Sequence, residues 1–479
     1  MDEAVNPRAW AGLAVVAAAS FVATLDTMVL YVAFGDIRRS FPEVSAASLS
    51  WILSGYTIVI AAGMVGAGRF ADRLGRRRIF LAGIGLFTAA SAICAVAPGA
   101  GSLIAGRVLQ GIGAAALTPT SLALILHTFP KSRVPQAIAL WAAAAALAAA
   151  LGPTIGGLFV EGWGWRSVFI LNVPIGIAIA IVGPRLLDES REPEGAPLPD
   201  LVGTAALTIA LVLLALAIVQ SDKWGWSSPA TLGALLAALV TFFAFVARSA
   251  AVATPLLALD LFDEPGFRWA NLGQLLYGTG FTIMFFGNVQ FLGDVWGYSA
   301  VRTGLAMAPG PFVVFLLAPR FGKLAGRIGQ RAILIPGGLV YATAALFLVS
   351  RAGAAPDYLG VWLPFILGSG VGVSMVMPLL TSAAVAGLSP DRFATGSAVT
   401  SALRAMSQTI GVAIFIAVAG GGAPADLLAH QRLAWWLVAA AGLSVSVTSW
   451  PLPRHLSSTR ALESAPSASP IIAREAVHS

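Results

Sequence analysis

Charge is what this chain has least of. Asp, Glu, Lys and Arg make up 11% of its 479 residues while 58% are apolar, a balance that cannot be folded into a water-soluble globule of this length. Cysteine is almost missing: Cys94 stands alone, which excludes an internal disulfide and a cysteine cluster for a metal. The four histidines, His127, His430, His455 and His478, are too scattered to ligate an ion together, so no metal site is expected. A phosphate loop (Gly, four residues, Gly, Lys, then Ser or Thr) does not occur, and no stretch between apolar runs is long enough for a soluble catalytic or nucleotide-binding domain. ATP-driven pumping and enzymatic chemistry are excluded on these grounds, and no cofactor is expected.

What the chain has instead is long apolar runs. Crossing roughly 30 Å of hydrocarbon takes about 20 residues of helix. Runs of that size fall near 10–32, 49–68, 79–97, 101–126, 136–160, 167–187, 201–220, 229–248, 269–292, 303–319, 332–350, 358–383, 394–420 and 432–452, fourteen in all. The pattern predicts an all-α integral membrane protein. The first run follows Asp2 and Glu3 and lacks a short apolar core with a small-residue cleavage site, so it is expected to persist as a span. With the N-terminus inside, twenty of the 29 basic residues fall in cytoplasmic segments, seven outside and two, Arg107 and Arg404, within helices. That excess of Lys and Arg places both termini in the cytoplasm. The net charge of +7 then belongs to loops lying against anionic membrane lipid, and no nucleic acid is expected as a partner.

The chain also repeats itself. Gly68-Arg-Phe-Ala-Asp72-Arg73-Leu-Gly75-Arg76-Arg-Arg78 returns 254 residues later as Gly322-Lys-Leu-Ala-Gly326-Arg-Ile-Gly329-Gln-Arg-Ala332, with five of the eleven positions identical. A glycine-bracketed basic turn repeated between apolar runs implies two halves built alike from membrane helices, and hence movement of something across a bilayer. Residues 1–187 are read as a six-helix bundle, 188–268 as a linker carrying two more spans, 269–452 as a second six-helix bundle, and 453–479 as a disordered cytoplasmic tail. The linker reading rests on Asp188-Glu-Ser-Arg-Glu-Pro-Glu-Gly-Ala-Pro-Leu-Pro-Asp200, too charged and proline-rich for a helix in lipid.

Few polar groups interrupt the spans. Asp26 lies about sixteen residues into the first, roughly 24 Å from the cytoplasmic edge. An ionised carboxylate there costs about 2.5–3.5 kcal/mol on insertion scales unless it takes up a proton, pairs with a cation or faces a wet cavity, which makes it a natural proton carrier. A structural carboxylate held permanently by a neighbour is the alternative. Arg107 in the fourth span overlaps it in depth, and helical spacing sets Gln110, Gly111, Ala114 and Thr118 on the same side, a small or polar stripe suited to a cavity wall. An approach of Arg107 to Asp26 in one state only would help to drive the proton off; bonding of Arg107 to backbone carbonyls would be purely structural.

Arg404 lies about 15 Å into the thirteenth span, near the midplane, with Ser397, Thr400, Ser401, Gln408 and Gly411 at helical spacings around it. It either contacts substrate or anchors its helix. Asn271, Gln274, Tyr277, Thr282 and Asn288 add polar groups to the ninth span beside Phe285 and Phe286. They are read as cavity residues, against the alternative that scattered amides hold helices together. In the fifth span Gly152-Pro153-Thr-Ile-Gly156-Gly157 joins close helix approach to a proline bend.

Together these segments resemble the major facilitator superfamily, and within it the fourteen-helix branch of drug:proton antiporters, over nearly the whole chain. Gly68 to Arg78 is similar to the family's loop after the second helix. Leu103 to Ala115, with Arg107 and Gln110-Gly111, is similar to its fourth-helix motif, and Gly152-Pro153 with Gly156-Gly157 to its fifth-helix signature of antiport. Trp165-Arg166 to Phe169, Asn172, Pro174-Ile-Gly176 and Pro255 to Phe262 look like features of the branch. The resemblance implies two six-helix bundles plus two extra central helices, rocking about a central site in the plasma membrane. It implies a monomer that exports a small amphipathic substrate in exchange for protons, with Asp26 and Arg107 in proton coupling. Gly68, Asp72, Arg73, Gly75 and Arg76 would form a cytoplasmic latch, and Gln110, Thr118, Asn271, Gln274, Tyr277, Asn288, Arg404 and Gln408 the substrate cavity. The chain departs from the branch where Tyr31 and Gly35 replace its usual Asn and Pro, and where Gly326 replaces the aspartate of the second turn. No acidic residue falls in the membrane interior of the second block, so lipophilic monocations, neutral amphiphiles or weak acids drawn to Arg404 are expected over dications. Symport or uniport of a metabolite, and a receptor or lipid-handling role on the same scaffold, are the alternatives.

Overall fold

The computed structural model describes residues 6–130, 133–191, 200–252, 255–389, 392–419 and 426–452. The predicted tail, 453–479, and residues 192–199 of the predicted linker lie outside the described residues.

Hydrocarbon offers the backbone no partner, so a spanning chain must satisfy its amides internally. The apolar runs accordingly become α1 (Pro7–Ser40), α2 (Trp51–Leu74), α3 (Arg76–Ala95), α4 (Ala100–Thr128), α5 (Val134–Trp163), α6 (Ser167–Leu186), α7 (Leu201–Trp224), α8 (Pro229–Ala251), α9 (Pro265–Gln290), α10 (Ala300–Ile328), α11 (Arg331–Arg351), α12 (Leu363–Ala386), α13 (Phe393–Ala419) and α14 (Leu427–Thr448). Among the described residues there is no strand, and thirteen helices, α1 to α13, are long and apolar enough to cross a membrane. The 22 residues of α14 span about 33 Å at 1.5 Å per residue, but His430, Gln431 and Arg432 near its start make it less apolar than the rest.

Several helices outrun their apolar cores. The first, expected over 10–32, starts at Pro7 because Asn6 caps the amide of Arg8 at 2.9 Å, and it continues to Ser40 with an Asp36–Arg39 pair at 3.0 Å in its last turn. The two basic turns break the chain alike. Gly75 has φ 115° and Gly329 φ 91°, a sign that glycine adopts without steric cost, so the sequence repeat is also a backbone repeat.

The first six helices pack mainly among themselves, α1 on α5 and α6, α3 on α4 and α6, and α2 on α4. The last six do likewise, α9 on α12, α13 and α14, α11 on α12 and α14, and α10 on α12. The two groups meet through α2 with α13 and α5 with α10, while α7 and α8 pair with each other and α7 leans on both α2 and α13. The closest meetings lie midway or toward the end away from the basic turns. Thr57 of α2 shares a 2.7 Å hydrogen bond with Thr409 of α13, Glu161 of α5 accepts from the Val301 amide of α10 at 3.1 Å, and Arg38 pairs with Asp294 at 3.1 Å. Toward the basic turns, Leu147 on α5 and Phe312 and Phe315 on α10 stay exposed. The hydrogen bonds and the ion pair named between the two groups therefore lie midway along the helices and at the end away from the basic turns.

Candidate transport site

Asp26 and Arg107 meet. Both are sealed from solvent, at 3% and 1% exposure, and Arg107 Nη1 stands 2.6 Å from Asp26 Oδ2. The other carboxylate oxygen accepts from Gln110 Nε2 at 2.9 Å and from Asn172 Nδ2 of α6 at 2.7 Å. Gln110 also accepts from Arg107 and donates to Ser91 Oγ of α3 at 2.8 Å. Arg107 Nε binds the Ile52 carbonyl of α2 at 3.0 Å, and its guanidinium lies 4.0 Å from the Tyr56 ring centroid. Five helices thus converge on one neutralised ion pair, which answers the desolvation cost of each charge with a partner and several donors. Asn172, Ser91 and Tyr56 belong to this cluster and were not singled out as site residues in the sequence. A lone amide in the apolar run around Leu171 and Val173 is the signal that marks Asn172.

Thr118 lies eleven residues further along α4, about 16 Å from Arg107 by helix rise, and sits outside the cluster. Gln110, placed in the substrate cavity by the sequence reading, is part of the ion-pair network instead.

The polar stripe of α13 divides into two faces. Gly411 lies against Thr282 of α9, and Ser407 against Gly278; Thr400 shares that side by helical spacing. Ala405 packs with Ile58, Ala61 and Ala62 of α2, and Thr409 bonds Thr57. Ser397, Ser401, Arg404 and Gln408 fall between these two faces at 100° per residue, all partly exposed. They look into the space between the two helix groups.

On α9, Asn271 and Gln274 turn toward α13 with Gly278, while Tyr277 packs at a tilt against Tyr341 of α11, with ring centroids 5.1 Å apart. Asn271 Oδ1, Gln274 Oε1, Tyr277 Oη and Thr400 Oγ1 are buried without a partner among the described residues. Asn288 instead accepts from Trp435 Nε1 of α14 at 3.0 Å, a helix-to-helix bond away from the central space.

At the first basic turn Asp72 pairs with Arg76 at 2.9 Å within its own turn, and Arg73 is exposed. The start of α3 is occupied by Glu189, which accepts from the Arg77 amide at 3.0 Å; a side chain on Gly75 would meet this carboxylate at 2.7 Å. Gly68 packs on Pro119 of α4.

The glycines of α5 are contact points for two different helices. Gly152 receives Met28, and Gly156 receives Val29, whose Cα would lie 3.0 Å from an added Cβ. On the other side Gly157 abuts the Ala300 carbonyl of α10, and Gly304 of α10 abuts that of Pro153. Met28 and Val29 lie within one turn of Asp26, so α5 links the ion-pair helix to the second helix group.

Long membrane helices in two groups of six around a buried ion pair make up a multi-pass membrane protein, and its family and relatives make it a transporter and not an enzyme. The chain belongs to the Major Facilitator Superfamily, whose family model matches residues 16–412, and it is a protein of the plasma membrane. It is 33% identical over 448 residues to the cephamycin export protein CmcT of Amycolatopsis lactamdurans, covering 92% of each chain. It is 33% identical over 422 residues to the multidrug resistance protein Stp of Mycobacterium tuberculosis, covering 86% of this chain and 76% of that one. The methylenomycin A resistance protein of Bacillus subtilis is 32% identical over 418 residues, with 86% and 88% covered. Two solved structures share the fold: the human organic anion transporter MFSD10 (TM-score 0.63, 17% identity, 93% of this chain and 100% of that one) and the xylose transporter XylE from E. coli in a partially occluded inward open conformation (0.64, 14%, 93% and 98%).

Proposed function

We propose that this protein exports amphipathic small molecules in exchange for protons, by alternating access of two six-helix bundles, 1–187 and 269–452, joined by a two-helix linker, 188–268. The observation that carries the reading is the Asp26–Arg107 pair inside the membrane. A proton can drive rocking only if its affinity for the carrier differs between states. An aspartate clamped by Arg107, Gln110 and Asn172 in one state and released in another meets that condition. Protonation cancels the charge that holds Arg107, and loosening at Asp26 is felt through Met28 and Val29 by the glycine notches of α5, and through Gly157 by α10 of the opposite bundle. The direction of transport is drawn from the export and resistance roles in the names of the relatives.

On this reading α14 is the fourteenth span, and both termini and the basic turns are cytoplasmic as the Lys and Arg distribution requires. Asp72 with Arg73 and Arg76 is the cytoplasmic latch. One chain holds both bundles and acts as a monomer. The test is uphill flux of a panel of fluorescent aryl amphiphiles in proteoliposomes under an imposed pH gradient, repeated with the gradient reversed. Antiport requires probe to move opposite to protons and Asp26→Asn to abolish uphill flux; uphill flux by Asp26→Asn, or co-directional movement, refutes it.

A further inference from the structure

Arg404 is a cation that nothing among the described residues neutralises. Its guanidinium makes no ion pair, hydrogen bond or ring contact among the described residues, although it lies near the membrane midplane, about 16 Å along α13 from Phe393 by helix rise. Arg107, the other basic residue read as lying within the spans, is cancelled at 2.6 Å by Asp26. Among the described residues the space between the bundles therefore carries an uncompensated positive charge, on the face that also presents Ser397, Ser401 and Gln408. Thr400 Oγ1, one turn below on the same helix, and Gln274 Oε1 on the facing helix are buried and without a partner among the described residues. Further along α9, Phe281 packs at a tilt against Phe285, and Phe285 against Tyr31 of α1, with ring centroids 6.0 and 5.8 Å apart.

We infer that the substrate is a monoanionic amphiphile, an aromatic or alicyclic body bearing one carboxylate or sulfonate, whose acid group pairs with Arg404. A lone charge in such a site is tolerated while water solvates it, and a ligand that displaces the water must supply the counter-charge. A cationic ligand would set like charges together in a low dielectric. The planar guanidinium fork matches a carboxylate or sulfonate. The inference rests on the antiport reading above and narrows it. The charge balance follows: exchange of one anion outward for n protons inward moves n + 1 positive charges inward, against n − 1 for a monocation. A potential negative in the compartment that the probe leaves must therefore speed the anion more than the cation.

The experiment uses the full chain in proteoliposomes with anilinonaphthalene sulfonate and an aryl trimethylammonium of similar size. Wild type should carry the sulfonate about tenfold faster under a pH gradient. Arg404→Gln should cut the sulfonate-to-cation ratio about tenfold, the order expected for a lost charge-assisted bond, while Arg404→Lys keeps most of it. Equal or faster cation flux by wild type, or an unchanged ratio in Arg404→Gln, overturns the inference. Should the variants fail to fold, the wild-type sulfonate-to-cation ratio under the pH gradient decides, and a ratio of one or below overturns the inference. A cation preference strikes this inference alone; absence of gradient-driven flux for every probe strikes the antiport reading as well.

Discussion

At the scale of the residue, Asp26 is held by more than its ion pair. Its Oδ1 accepts from both Gln110 and Asn172, and hydrogen bonds to a charged group contribute about 1.5–3 kcal/mol each. Asn172→Leu should lower stability by about that amount, read as a fall in melting temperature of the purified protein. In an Asp26→Asn background the same change should cost less, with a coupling of about 0.5–3 kcal/mol as found for residues in one network. Additive losses would mean that Asn172 acts through packing alone. The ion pair was legible in the sequence because a carboxylate, a guanidinium and an amide stand out in apolar runs at overlapping depth. Tyr56 and Ser91 were not, since an aromatic and a hydroxyl are ordinary in a membrane helix and only the packing of α2 and α3 onto α4 brings them in.

At the scale of the element, the sequence pattern of α5 foretold close approach but not its partners. Gly152 and Gly156 serve α1 while Gly157 serves α10, some 140 positions away, and no local spacing reveals that division. The polar stripe of α13 was visible for the same reason that its split was hidden: periodicity orders residues around one helix without saying which neighbour each side meets. The hairpin of α7 and α8 offers a test in titration. Asp200 caps α7 through the Gly203 amide at 2.9 Å and accepts from Arg248 Nε of α8 at 2.8 Å. Burial by itself would raise its carboxyl, but the Arg248 bond and the amide outweigh that and hold it below the ordinary 3.8. A depressed carboxylate contributes stability that is complete above the unfolded value and lost as pH falls through the folded one. Wild type should therefore melt higher than Arg248→Met at neutral pH, and the gap should narrow on acidification below about pH 4. A gap independent of pH would assign Arg248 a packing role only.

At the scale of the whole molecule, alternating access is a balance between two closed ends, and on the proposed topology the Arg38–Asp294 contact belongs to the outer one. The repeated basic turns made the two-bundle plan readable from sequence, yet which end is shut depends on contacts between α1, α9 and α13 that no repeat encodes. Arg38 and Asp294 bridge the bundles there at 3.1 Å, above a cavity of about 100 Å³ lined by Phe34, Gln290, Phe415 and Gln431 among others. Both side chains are partly exposed, 43% and 35%, so the pair is worth only about 0.2–1 kcal/mol. At RT near 0.59 kcal/mol that biases closed over open by a factor of about 1.4 to 5. Gln290→Cys in a Cys94→Ser background reports the outer opening by its rate of reaction with a membrane-impermeant thiol reagent added outside. Arg38→Ala should raise that rate by the same factor, and about 1 M salt, with its Debye length near 3 Å, should raise it in the chain with the pair intact. Exchanging the charges, Arg38→Asp with Asp294→Arg, should restore slow labelling. Fast labelling in the exchanged pair would assign closure to the glycine contacts of α5 and α10, which salt does not screen.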